Sequence, residues 1–255
     1  MSLDLDPKKS SGGPRGRFIE AVIVCVNYGD FLAETLPHNK QFFDEVTVVS
    51  SFADKETHRV CRFNNIDPVK TDSFWEEGAS FNKANGINLG LAHARFNDWI
   101  LHIDADVLLP HDFRNLLWNY PLHSDCIYSA DRVNIVGRPA YGKLITSGHF
   151  RHQYRKKYLS QVPPDGERGA RLIHREMGYV PIGYFQLFNG RYLAEHELRY
   201  PSQNHTRNAE RSDLLFALQW RRDHRILLPN VTVFHLESER SGQGVNWNGR
   251  KSAKF

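Results

Sequence analysis

Trp99-Ile100-Leu101-His102-Ile103-Asp104-Ala105-Asp106-Val107-Leu108-Leu109-Pro110 decides how this chain is read. Trp99 to Ile103 is a short apolar run of the kind that fits a buried strand. It runs directly into two carboxylates with one residue between them. Asp104 and Asp106, so spaced, can hold a hard cation through oxygen ligands, and such a cation bridges the phosphates of a nucleotide. A diphosphate leaves more readily once its developing charge is neutralised. A lone pair of this kind is usually a turn. Here it ends a buried strand and is followed by Val-Leu-Leu-Pro, a context that points to a site.

Upstream, Phe18 to Val26 is a β-branched apolar run ending in the turn residues Asn27-Tyr28-Gly29-Asp30, and reads as a buried first strand. Phe31 to Phe43 reads as a short helix and a connection, interrupted by Pro37. Glu45 to Ser51 is a second strand, with Asp54 and Thr57 beyond its carboxyl end, and Ile66 to Val69 a short third. Gly78 to Arg95 is helical, with Ala84, Ile87, Leu91 and Ala94 on one face. Strands and helices alternating in this way predict βαβ units, an α/β class and a mostly parallel, Rossmann-like sheet flanked by helices. Ligands of such sheets bind beyond the carboxyl ends of the strands.

Downstream, Asp112 to Tyr120 reads as a helix and Cys126 to Ser129 as a strand. Gly183 to Phe188 alternates as a strand, Ser212 to Arg222 reads as a helix, and Val231 to His235 as the last strand. There is no internal repeat and no clear boundary, so residues 18–255 read as one domain. Residues 1–17 are polar and rich in Ser, Gly, Lys and Pro, and read as a disordered arm.

The 255 residues are 40% hydrophobic and 24% charged, which supports a packed core. The net charge of +4 suits anionic partners without choosing among them. Cys25, Cys61 and Cys126 are odd in number and widely spaced, which excludes a disulfide framework or a zinc site and fits buried thiols in the cytoplasm. No run approaches the ~18 apolar residues of a membrane span.

WILHIDADVLLP resembles the D-x-D strand of the GT-A glycosyltransferases, especially inverting families such as the chondroitin-synthase and β-1,4-galactosyltransferase groups. Ser80-Phe81-Asn82-Lys83-Ala84-Asn85-Gly86-Ile87-Asn88-Leu89-Gly90 is similar to the F-N-[KR]-[AG]…N-x-G stretch of those families and sits just before that strand, as theirs does. The resemblance covers about Phe18 to Gly249. It implies a GT-A fold and transfer of a sugar from a UDP-sugar to an acceptor hydroxyl, with inversion. Asp106 would be the main ligand of Mn2+ or Mg2+, and Asp104 would contact the ribose or the metal. Asp54 would meet the uracil ring and Lys83 the donor. Gly183 to Phe188 would wall the donor sugar, with contact through backbone or Gln186. Ala209 to Phe216 is similar to the acidic motif that carries the general base; the family's acids are adjacent, whereas Glu210 and Asp213 are three apart, which leaves Asp213, favoured, and Glu210 as candidates. His235 would complete the metal site. Gly242 to Lys251 resembles the mobile segment that closes on the diphosphate, with Arg250 or Lys251 reaching the phosphates.

Arg151 to Arg175 carries seven Lys/Arg against two Asp/Glu, interleaved with Tyr154 and Tyr158. Cations track phosphates and aromatics stack on bases, so the leading acceptor is a hydroxymethylated pyrimidine in DNA, with a glycan or lipopolysaccharide next. Two further readings stand against these. A sugar nucleotidyltransferase needs a Gly-rich, Arg-containing loop after the first strand, and Asn27 to Phe31 has one glycine and no cation. A non-catalytic basic nucleic-acid-binding protein accounts for the basic segment but not for Asp104, Asp106, Asp213 and His235. Oligomeric state stays open.

Overall fold

β1 (Ile19–Val24) is buried at all six positions. It lies inside a sheet with a parallel neighbour on each side, β2 (Glu45–Ser50) and β4 (Trp99–Ile103). A strand covered on both faces is apolar at nearly every position, not at alternate ones; the exception, Glu20, accepts from the Arg95 N–H at 2.6 Å. β3 (Val69–Lys70) extends this parallel group beyond β2. The computed structural model describes residues 17–146, 166–169, 171–201, 208–239 and 245–255. The expected arm, apart from Arg17, lies outside the described residues, as do residues 151–165 and 170 of the basic segment and residues 242–244 of the tail.

The second half of the sheet turns back on the first. β10 (Phe185–Asn189) pairs antiparallel with β4 on one side and with β6 (Ile127–Val136) on the other. β11 (Arg225–Glu237) runs parallel to β6 and antiparallel to β5 (Val107–Leu108). β7 (Gly166–Arg168) pairs with β6, giving nine strands. β3, β2, β1, β4, β6 and β11 point one way and β10, β5 and β7 the other. β8 (Leu172–His174) and β9 (Gly178–Val180) form a separate ribbon. The fold is the mixed α/β one that the sequence predicts, with a mostly parallel sheet.

Helices α1 (Gly29–Asn39), α2 (Lys55–Phe63) and α3 (Lys83–Ala92) connect the parallel strands. α3 buries Ala84, Ile87 and Leu91 as their spacing predicts. A Cβ at Gly90 would stand 2.5 Å from Val22 Cγ1, so glycine lets this helix lie directly on β1. The helix starts at Lys83 instead of Gly78, because Ser73–Gly78 is a 3₁₀ turn kinked at Glu77 and the α-helical cap is Asn82. α2 escapes the hydrophobic pattern. Its buried face is Thr57, His58, Val60 and Cys61, half of it polar.

α4 (Phe113–Trp118) lies within its expected span, whereas α5 (Gly137–Thr146) and α6 (Gly190–Glu195) are additions. α7 (Ser212–Ala217) is shorter than expected. β6 runs far past Ser129: Asp131 and Arg132 pair with Thr232 and Val233 of β11, and Arg132 and Asn134 line the cleft. β11 begins well before Val231 and absorbs Pro229 through a register shift between Leu227 and Thr232. All three cysteines are free and buried. No described helix is long and apolar enough to cross a membrane.

Candidate active site

The Asp104-Ala105-Asp106 turn is held from behind by α1. The Val107 N–H donates to Asp104 O at 3.2 Å, closing the turn from β4 into β5. The Thr35 hydroxyl donates to Ala105 O at 2.7 Å. Asn39, one helical turn on, donates to Val107 O at 2.7 Å and accepts from the Leu109 N–H at 2.9 Å. These are buried polar groups with their bonds made, so the turn has one geometry.

β11 then brings in the histidine. Its antiparallel register with β5 sets His235 opposite Val107, and the Leu236 N–H donates to Asp106 O at 2.8 Å. His235 Nε2 stands 3.6 Å from Asp106 Oδ2, while Nδ1 donates to Glu237 Oε1 at 3.2 Å. Asp106 Oδ1 is buried with no hydrogen-bond partner. Burial pushes the Asp106 carboxyl above the usual carboxylate range, against the pull of His235. Burial also drags the His235 imidazole down, but Asp106 and Glu237 outweigh it and the net shift is upward. A bare carboxylate oxygen beside an imidazole nitrogen is a donor set that suits a divalent cation, and it removes the cost of leaving that oxygen unpaired. Glu237 fixes the ring from the far side, a common device at histidine ligands.

Asp104 is placed differently. Its Oδ1 is ion-paired with the Lys83 ammonium at the start of α3, with His102 Nε2 3.9 Å away. Burial alone would raise the Asp104 carboxyl, but Lys83 and His102 hold it below the ordinary value. The structure therefore joins Asp106 to His235 and Asp104 to Lys83; it does not gather the two aspartates and the histidine into one cluster.

Asp213 faces this pair from the first turn of α7. The Gly183 N–H donates to Asp213 Oδ2 at 2.6 Å, and the next residue's carbonyl, Tyr184 O, accepts from the Asp104 N–H at 3.2 Å. Asp213 and Asp104 thus hang on adjacent residues of one segment. A Cβ at Gly183 would lie 2.8 Å from Asp213 Cβ, so only glycine admits the contact. Burial raises the Asp213 carboxyl, against the N–H groups of Gly183 and Leu214.

Four expected site residues have other work. Gln186 is fully buried and does not reach the donor side of the cleft. Its amide donates to Pro181 O at 2.9 Å and to Asp213 O at 3.0 Å, and its Oε1 accepts from the Tyr200 hydroxyl at 2.6 Å. Asp54 caps α2: it accepts from the Thr57 N–H at 3.0 Å, the Thr57 hydroxyl at 2.6 Å and the Asn27 N–H at 2.6 Å. Both its oxygens are engaged and it does not line the cleft. Glu210 faces Arg211 at 3.3 Å, outside the cleft, which leaves Asp213 as the acid inside it. Arg250 lines the cleft, but its guanidinium grips Asp30, with one bond of 2.9 Å, and also donates to Asn27 O at 2.9 Å. Lys251 is exposed.

The cleft encloses about 820 Å³, room for a nucleotide sugar. Val24, Val26, Phe81 and Ile87 are among its apolar lining residues, and Tyr184, Arg132 and Asp213 among its polar ones. Glu237 and Arg132 were not anticipated. Both were legible as alternate residues on strands, Glu237 two after His235 and Arg132 two before Asn134. Among the described residues, Asp125, Cys126 and His224 also converge, within 4.8 Å of one another, at the opposite ends of β6 and β11. There the His224 Nδ1 contacts Asp125 O at 3.1 Å, and burial with Asp125 pushes the Cys126 thiol up to about 11, so this group is already satisfied by itself.

No family model matches the chain, and no curated protein matches it. Solved structures do resemble it. Glucosyl-3-phosphoglycerate synthase from Mycobacterium tuberculosis in complex with Mn2+ and uridine-diphosphate-glucose is 14% identical over 90% of this chain and 73% of that one, with a TM-score of 0.49. Another structure of the Mycobacterium tuberculosis synthase gives 13% identity over 92% and 76%, with a TM-score of 0.48. Mannosyl-3-phosphoglycerate synthase from Rubrobacter xylanophilus gives 15% over 89% and 68%, with a TM-score of 0.47. Likeness at this level assigns no residue a role, so the chemistry rests on the side chains themselves.

Proposed function

We propose that this chain is a GT-A-type glycosyltransferase that moves a sugar from a UDP-sugar to an acceptor hydroxyl with the help of Mn2+ or Mg2+. The observation that carries the reading is the Asp106–His235 pair with its unpartnered carboxylate oxygen, facing Asp213 across one cleft. Asp106 and His235 would hold the cation, with Glu237 orienting the ring. When bound, it neutralises the charge that develops on the departing diphosphate. Lys83 keeps Asp104 ionised and fixed beside that position.

Asp213 takes the proton from the acceptor hydroxyl. Its raised pKa brings it closer to that of a working base, and the Gly183 N–H sets its direction. A base on the side of the sugar opposite the diphosphate gives inversion. A DNA-base acceptor finds no support among the described residues. It rests on Arg151 to Arg175, and in the described part of that segment Arg171 is engaged with Asp131 at 2.6 Å.

The test is calorimetric titration of UDP, with GDP as control, with and without Mn2+, followed by a screen of UDP-sugars for metal-dependent hydrolysis. Metal-dependent UDP binding is expected. Binding of neither nucleotide would remove the reading and leave a fold without this activity.

A further inference from the structure

β6 carries a cation that the reaction above does not use. Val133 and Ile135 face the core, whereas Arg132 and Asn134 fall on the alternate face. The parallel register puts Asn134 beside His235 and Arg132 beside Val233. Arg132 is therefore one same-face step, about 7 Å along the strand, from the flank of the metal pair.

The guanidinium is held but not satisfied. It lies 4.7 Å from the centre of the Tyr184 ring, and that ring is tied down by its hydroxyl, which donates to Ala130 O. On the other side, the Gly169 N–H donates to Arg132 O at 3.0 Å. A Cβ at Gly169 would stand 2.2 Å from Arg132 Cγ and 2.4 Å from Nε, so the wall is shaped around this side chain. Yet Arg132 makes no side-chain hydrogen bond or ion pair with the described residues, and its Nε is buried without a partner. The other two cleft arginines are spent, Arg171 on Asp131 and Arg250 on Asp30. A half-buried guanidinium with open donors is matched by a planar or tetrahedral oxyanion, which it binds through two parallel bonds.

We propose that Arg132 seats an anionic group of a small acceptor, a carboxylate or a phosphate. The proposal rests on the glycosyltransferase reading for the word acceptor. Position decides between acceptor and donor. Arg132 stacks on Tyr184, whose neighbour Gly183 holds Asp213, so the arginine and the base share one segment. The molecule that Arg132 grips is the one whose hydroxyl Asp213 deprotonates. Val24, Phe81 and Ile87, apolar residues that suit a nucleobase, line the same cleft.

The experiment uses the full chain saturated with UDP and Mg2+, titrated by calorimetry with inorganic phosphate and, separately, with glycerate. Wild type, Arg132→Gln and Arg132→Lys are compared. One of the two anions should bind wild type, and the arm that responds names the group. Arg132→Gln should weaken that anion by about ten-fold or more, and Arg132→Lys by less, since it keeps the charge and loses the fork. UDP affinity should stay within about two-fold in both. A parallel loss of UDP affinity in Arg132→Gln would assign the guanidinium to the donor diphosphate and overturn the proposal. Equal anion binding by wild type and Arg132→Gln, or no binding of either anion to wild type, would overturn it too. Capture of a DNA oligonucleotide through Arg132 without any response to the small anions would favour a nucleic-acid acceptor instead. If wild type binds no UDP, the glycosyltransferase reading falls by itself, and the same titrations without nucleotide still decide whether Arg132 binds anions.

Discussion

The two walls of the cleft are held in different ways. On the wall of β1, β4, α1 and α3 most polar groups are engaged: Thr35 and Asn39 on the aspartate turn, Lys83 on Asp104, Arg250 on Asp30, with His102 Nε2 the buried exception. On the wall of β6, β10 and β11 two cleft residues carry a buried atom with no partner, Arg132 Nε and Asn134 Oδ1, and Asp106 Oδ1 is a third in the same cleft. Buried polar atoms are rarely left so, and when they cluster in a cleft they mark where a ligand completes the bonding. The first wall is mostly scaffold; the unpartnered atoms of the second are where a bound molecule would complete the bonding.

The comparison breaks most sharply at Asp106. Asp106→Ala should abolish metal-dependent UDP binding and lower turnover by at least about a hundred-fold, with the melting temperature kept or raised because a bare buried carboxylate is gone. Retention of metal-dependent binding would move the metal elsewhere. Asp213→Asn is expected to cut transfer by about 10²–10⁴-fold while UDP affinity holds, since proton removal is lost and the donor side is untouched. Normal transfer in single-turnover assays of that variant would return the base to Glu210.

Tyr200→Phe probes the props under the second wall. It removes the hydroxyl that donates to Gln186 and lies 3.3 Å from His102 Nδ1. It should cost about 1–3 kcal/mol in denaturant unfolding, because Gln186 Oε1 is then left unsatisfied. It should also lower kcat more than it changes KM for the donor, since Gln186 supports Asp213; unchanged kcat at full saturation would make the network purely structural.

The smallest effect belongs to the first wall. His38 on α1 contacts Leu109 O through Nε2 at 3.0 Å, and burial lowers its pKa to about 4, with His111 also lowering it. Its folded pKa lies below the unfolded value, so the folded state binds fewer protons between the two. Its contribution is full above about pH 6.5 and is lost as pH falls toward 4. His38→Gln should flatten this part of the stability curve by about 1 kcal/mol or so, allowing for its partial exposure. Parallel curves for wild type and variant would show that the contact carries no linkage.

The strands β1 and β4 are legible because burial on both faces writes itself as nearly unbroken apolar runs, and β2 through Val46, Val48 and Val49. Asp106, Asp213 and His235 were legible as residues, since each follows or opens a regular element, and the cleft brings them together. What failed has a physical pattern. Asp54 and Gln186 sit where a ligand contact is expected, but sequence position does not say whether a polar side chain faces the cleft or satisfies a neighbouring backbone. Nor could the sequence show that Lys83 would take Asp104 away from the metal pair. β6 was cut short at Asp131 and Arg132 because charge reads as a strand end, when it was the face of a strand lining the cleft.

The insertion of β11 between β5 and β6 has a consequence for how the protein matures. Asp106 and His235 come from opposite halves of the chain and meet only through that pairing. Non-local strand pairing of this kind is slow, because loop closure must precede any gain in contacts. β11, the last strand in chain order among the described residues, is thus the one that brings His235 to Asp106. With the cation held by Asp106 and His235 as proposed, cation affinity would report finished folding, and a chain caught before β11 docks would lack the pair.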